Sequence, residues 1–182
     1  MIREFKNKKV VIMGLGSYAQ GSGFAAAAFF AKAGSRVLVT DMKPASFFAS
    51  AITKLKKYPH VRMVFGKHRE QDFIQADLII KNPDVPKSSP YLRVAKEYGV
   101  PVWDDWTVFL AISDAMIVGV TGSKGKSTTA VLINEMVRRQ YRSHLCGNIG
   151  VSPLAIWQKI HNDDVVVAEL SSFGLHGFET SR

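Results

Sequence analysis

The stretch Thr121-Gly122-Ser123-Lys124-Gly125-Lys126-Ser127-Thr128 follows the apolar run Met116 to Val120 and precedes a helix-forming segment. A glycine loop between a buried strand and a helix exposes a row of backbone N–H groups, which can wrap phosphate oxygens. The helix that follows adds about half a positive charge at its first turn. Lys126 is placed to neutralise charge on β- and γ-phosphates, and the Ser127 hydroxyl is placed to bind Mg²⁺. Val120 stands where the longer G-x-x-x-x-G-K-[ST] pattern has its first glycine.

The same strand–loop–helix order occurs earlier. Val10 to Met13 is a β-branched apolar run that ends in Gly14. Gly14-Leu15-Gly16-Ser17-Tyr18-Ala19 fits G-x-G-x-x-G/A, and Gly21 and Gly23 lengthen the loop. Such a turn brings backbone close to a phosphate at a helix N-terminus. The Ala- and Phe-rich segment Gly23 to Ala33 predicts a helix stopped by Gly34, and Arg36 to Thr40 predicts the next strand, closed by Asp41. An acidic residue there suits a ribose hydroxyl.

Alternation continues to the end. Strands are expected at 61–65, 78–81, 100–103, 116–121, 143–146 and 165–170, and helices at 45–57, 91–98, 106–112, 126–140 and 153–160. Strands alternating with helices imply parallel sheets covered on both faces. The fold class is therefore α/β: a Rossmann-like parallel-sheet domain over 1–113, followed by a partial P-loop-type domain over 114–182. The second segment holds only three expected strands, which reads as a truncated central domain.

Composition excludes several classes. Net charge is +9, but the basic residues are scattered, and no run of five marks a nucleic-acid arm. The longest apolar run, Phe24 to Ala31, is far too short to span a bilayer. The polar start, Met1 to Lys9, does not resemble a signal peptide. Cys146 is the single cysteine and reads as a buried thiol. His60, His68, His144 and His161 lack metal-ligand spacing and read as surface or satisfied core residues. The expectation is a cytoplasmic monomer without nucleic-acid or membrane partners.

The loop Thr-Gly-x-x-Gly-Lys-Ser after an apolar strand resembles that of the Mur ligase family. Three further stretches carry the resemblance in order: Ile80-Lys81-Asn82-Pro83-Asp84-Val85-Pro86, Gly147-Asn148-Ile149-Gly150, and Ala168-Glu169-Leu170-Ser171-Ser172-Phe173. The last two are similar to signatures of the member that adds D-glutamate.

The resemblance implies a three-domain, ATP-dependent carboxylate–amine ligase working through an acyl phosphate. Its implied substrates are UDP-N-acetylmuramoyl-L-alanine and D-glutamate, and its cofactors ATP and Mg²⁺. Gly14, Leu15, Gly16, Ser17 and Asp41 are then expected to hold the uridine diphosphate, with Asn82 and Pro83 beside it. Thr121, Gly122, Ser123, Lys124, Gly125, Lys126, Ser127 and Thr128 are expected to hold the ATP phosphates. Glu169 joins Ser127 as a Mg²⁺ ligand and joins Lys126 as a catalytic residue, and Asn148 contacts the substrate. Asp84 stands where the family usually has glycine, and Gly174 and His176 also depart from its pattern. The family's carbamylated lysine, second metal-site histidine and amino-acid-binding domain would lie past Arg182, so this chain alone is expected not to ligate. Other readings are a non-catalytic nucleotide-binding module, another Mur ligase, and an NAD-dependent Rossmann oxidoreductase.

Overall fold

A computed structural model describes residues 2–18 and 20–171. They divide into two compact units between Asp105 and Trp106.

The first unit is built on a five-stranded parallel sheet in the order β3-β2-β1-β4-β5. Its strands are β1 (Lys9–Met13), β2 (Arg36–Asp41), β3 (Val61–Phe65), β4 (Leu78–Lys81) and β5 (Val102–Trp103). Helices α1 (Ser22–Lys32), α2 (Ala49–Leu55), α3 (Glu70–Ile74) and α4 (Pro90–Glu97) connect them. Because helices cover both faces, β1 is apolar at four consecutive positions, Val10 to Met13, all buried. Val11 and Met13 pack with Phe73, Ile79, Leu92 and Ala95. On alternate positions Val10 and Ile12 face the other side, where α1 contributes Phe29 and Phe30. Those two rings meet edge to face at 5.0 Å, and Phe5 closes the group against Phe30 at 5.1 Å.

The second unit holds all but the first residue of α5 (Asp105–Ile112), then β6 (Met116–Val120), α6 (Lys126–Val137), β7 (Ser143–Gly147), α7 (Pro153–Ile156) and β8 (Val165–Glu169). Its parallel sheet has the order β6-β8-β7, with β8 buried along its whole length. Ala130 of α6 packs with Val120, Val165 and Val167, and Ile133 and Val137 lie against them. Val131, Leu132 and Met136 face outward. Cys146 is buried and unbridged, as expected. Among the described residues no helix is long and apolar enough to cross a membrane.

Four elements differ from the sequence expectation. The stretch 45–57 opens as a 3₁₀ turn and becomes α-helical only at Ala49. α3 was not expected: it has five residues and a polar exterior, and only Phe73 anchors it. β5 shortens to two residues because only Ile79 and Ile80 offer it partners. The stretch 153–160 breaks into α7 and a 3₁₀ turn at Trp157–Lys159.

Asp164 braces the start of β8. Its carboxylate accepts from the His161 N–H at 2.9 Å, lies 2.8 Å from His144 Nε2, and faces Arg142 at 3.7 Å. Burial opposes its ionisation, but these donors together hold its pKa below the ordinary 3.8. A depressed carboxylate stabilises the fold above its unfolded pKa and loses that effect as pH falls through the folded value. Asp164→Asn should therefore lower the melting temperature at neutral pH. The gap to the unmodified chain should close below about pH 4, checked by thermal melts across that range.

Candidate functional site

Two groups of residues gather at the carboxyl ends of the two parallel sheets, one in each unit. Loops at that end of an open α/β sheet hold the ligands, because strand order reverses there and leaves a crevice. In the first unit the reversal lies between β1 and β4.

The β1 loop turns at Gly14 and Gly16, whose φ angles are +88° and +76°. Both also need space. A Cβ on Gly14 would lie 2.9 Å from Asn82 Cβ, and one on Gly16 would lie 3.0 Å from Asn82 Nδ2. Asn82 is buried, and its N–H donates to the Met13 carbonyl at 2.9 Å. Its side-chain oxygen accepts from the Asp84 N–H at 3.1 Å. The amide nitrogen is thereby turned to the Gly16 side of the crevice.

Asp41 ends β2 and ties the loop down. One carboxylate oxygen accepts from the Leu15 N–H and the other from the Lys43 N–H, both at 2.9 Å. Each oxygen keeps a further lone pair for a ligand. Leu15 itself is fully buried, so it offers the site its backbone alone.

These residues border a cavity of about 470 Å³. Met13, Gly14, Gly16, Ser17, Asp41 and Asn82 line it, as do Asp84, Val85 and Tyr91. Pro83 is exposed and does not line it. Ala19 lies outside the described residues.

Sequence reasoning missed two participants. Gly23 rather than a loop residue lets α1 approach the strand: a Cβ there would overlap the carbonyl oxygens of Gly14 and Leu15. Its signal was a glycine at the second position of a helix, where nothing local favours one. His68 lines the cavity from beyond β3. Its Nδ1 lies 2.8 Å from Thr40 Oγ1, which also donates to the Lys67 carbonyl at 3.2 Å. One hydroxyl proton serves one acceptor, so both contacts are satisfied when Nδ1 carries the ring proton. Burial lowers the His68 pKa, and the Asp41 charge opposes this. Burial thus favours the neutral ring. Its signal was position, just past the carboxyl end of a parallel strand.

In the second unit the β6 loop turns through Gly122 at φ +147° and Gly125 at φ +76°, and Gly125 caps α6. The loop is exposed, and Lys126 Nζ donates to the Gly122 carbonyl at 2.8 Å. That contact folds the lysine back over its own loop.

β8 delivers Glu169 to the same end of its sheet. Glu169 pairs with Val120 on one side and Gly147 on the other. It is buried, and Asn148 Nδ2 donates to its Oε1 at 3.4 Å, while Oε2 has no hydrogen-bond partner among the described residues. Gly147 must lack a side chain, since a Cβ would overlap the Glu169 carbonyl oxygen. The parallel pairing thus gathers Thr121 to Thr128, Asn148 and Glu169 at one sheet end. Among the described residues no group of three or more His, Cys, Asp or Glu could hold a metal. Ser172, Phe173, Gly174 and His176 lie outside the described residues.

Residues 8–104 match the family described as Mur ligase MurD-like, N-terminal domain. The chain belongs to that family. It is 38% identical over 178 residues to UDP-N-acetylmuramoylalanine--D-glutamate ligase of Borreliella afzelii, covering 97% of this chain and 38% of the relative. It is 40% identical over 172 residues to the ligase of the same name from Treponema pallidum, covering 93% and 32%. The chain thus spans about a third to two fifths of the length of these family members. Among solved structures, the UDP-N-acetylmuramate:L-alanyl-gamma-D-glutamyl-meso-diaminopimelate ligase of Neisseria meningitides superposes with TM-score 0.54 at 19% identity, over 92% of this chain and 55% of that one. That likeness speaks to the fold alone.

Two outcomes are expected from this geometry. Gly23→Ala should cost roughly 3 kcal/mol of stability by urea denaturation, because backbone atoms must shift to admit the methyl group. In an NMR titration His68 should deprotonate below its ordinary 6.5. Asp41→Asn should move that midpoint lower still, since it removes the one charge that opposes the shift.

Proposed function

We propose that this chain is the substrate- and nucleotide-binding part of an ATP-dependent ligase that joins D-glutamate to UDP-N-acetylmuramoyl-L-alanine in peptidoglycan precursor synthesis. The observation that carries the reading is the buried Glu169 Oε2, without a hydrogen-bond partner among the described residues, at the sheet end that also holds the Lys126 loop. A buried carboxylate oxygen without a donor invites a cation. A hard oxygen suits Mg²⁺, which keeps few protein ligands and completes its shell with water and phosphate oxygens. Ser127 is its second protein ligand. When bound, ATP and Mg²⁺ supply the phosphoryl group that activates the substrate carboxylate.

The chain's own residues bind and orient. The N–H groups of Thr121 to Thr128 receive the phosphates at the first turn of α6. Lys126 exchanges the Gly122 carbonyl for phosphate oxygens and offsets the charge that develops on transfer. Asn148 faces the substrate and steadies Glu169. In the first unit, Gly14, Gly16 and Ser17 present the loop to the diphosphate, and Asp41 accepts from the ribose. Asn82 donates its side-chain amide, and Pro83 stiffens the turn behind it. The same reading makes the chain a cytoplasmic, monomeric species, with unit one holding the UDP end and unit two the ATP.

Isothermal titration with UDP-N-acetylmuramoyl-L-alanine should give saturable binding. Asn82→Ala should weaken it at least tenfold, and Lys126→Ala should leave it unchanged. Lys126→Ala should instead weaken Mg²⁺-dependent ATP binding by a similar factor. Saturable NADH binding with no response to the UDP compound would overturn the reading in favour of a dinucleotide enzyme.

A further inference from the structure

A second cavity, of about 360 Å³, opens at the opposite end of the first sheet. Its floor is formed by the first three residues of β1 and of β2, and its rim by β3 and α3. Parallel pairing sets Lys9 beside Arg36, and Leu38 between Val11 and Arg62. Side chains two apart on a strand share a face. Lys9, Arg36 and Arg62 therefore stand on one face of the sheet, above the apolar floor of Val11 and Leu38. Arg69, just before α3, and Asp72 within it close the cavity. Four cations thus meet one carboxylate.

The cations are unequally occupied. Arg69 is held by Asp72 through two bonds of 2.7 and 3.1 Å. Arg36 gives Nε and Nη2 to the Asn7 carbonyl at 3.3 and 3.2 Å, which leaves Nη1 available. Arg62 makes no hydrogen bond or ion pair among the described residues. A charged residue on an edge strand guards against stray pairing, which accounts for Arg62 on β3. It does not account for Lys9 and Arg36, which stand at the exposed starts of β1 and β2, neither of them an edge strand.

We propose that this cavity is a second anion site, taking a small phosphate-bearing molecule. Guanidinium forks match phosphate oxygens two at a time, and Lys9 adds a point charge. With Asp72 taken up by Arg69, three cations remain on the concave wall, and a net positive wall focuses the field on its contents. The site is separate from the Gly14 loop, which lies at the other end of β1, and does not depend on the ligase reading.

The test is a pyrophosphate titration of the whole chain without Mg²⁺, followed by NMR at the arginine Nε–H groups and backbone amides. Residue-resolved signals separate this cavity from the Gly16 and Lys126 loops. Saturable shifts are expected at Arg62, Arg36 and Gln75. Arg62→Gln should weaken the response at Gln75 at least tenfold and leave the Gly16 and Lys126 amides responding as before. Arg62→Lys, which keeps the charge but not the fork, should restore part of it. Arg62 is exposed on the edge strand, and an unchanged melting temperature for the variants establishes that the fold is intact. Shifts that rise linearly without saturation, or an affinity unchanged by Arg62→Gln, would overturn the proposal. Succinate binding as tightly as pyrophosphate would overturn the assignment to phosphate.

Discussion

The parallel pairing of β1 with β4 is the interaction on which the first unit's site depends. Its last rung is the Asn82 N–H on the Met13 carbonyl. That bond brings the start of the β4 loop against the β1 loop so closely that neither Gly14 nor Gly16 has room for a side chain. Asp41 then holds the loop from the other neighbour, β2, through the Leu15 N–H. A crevice forms because three strand ends are fixed and the chain must leave them in opposite directions. Gly23 completes the arrangement by letting α1 lean directly on the loop's carbonyls.

The second unit applies the same constraint to a different chemistry. β8 lies between β6 and β7, so the ends of all three strands meet. β6 supplies a glycine–lysine loop, β7 an asparagine turn, and β8 a buried acid. An unpaired carboxylate oxygen in a buried place costs stability unless something binds it. Here that oxygen lies at the sheet end that also carries the Lys126 loop. Asp164, at the other end of β8, shows the contrast: the His161 N–H and the His144 ring meet its carboxylate, Arg142 faces it, and it serves the fold.

Legibility in the sequence followed from how local each feature is. Gly122, Gly125, Lys126 and Ser127 belong to one turn and were readable as a group, as was the Gly14 loop. Asn82, Asn148 and Glu169 were readable only through resemblance, since each is one polar residue after an apolar run. Their meeting partners lie far along the chain. His68 was read as a surface or core residue because no periodicity or spacing marks it. Its place in the cavity comes from β3 ending beside β2, and its proton position from a threonine 28 residues away. Leu15 and Pro83 went the other way: they sit inside recognisable motifs, but one is buried and the other exposed.

The sequence by itself determined the alternation of strands and helices, the parallel sheets that follow from it, and the two glycine loops. Those depend on apolar period, β-branching and backbone freedom, which act over a few residues. Tertiary structure alone decided strand order, which polar groups share a crevice, and which keep a free lone pair. It also gathered Lys9, Arg36 and Arg62 on one face, although some 50 residues separate the first from the last. Register between strands sets such meetings, and register is a property of the packed core rather than of any one segment.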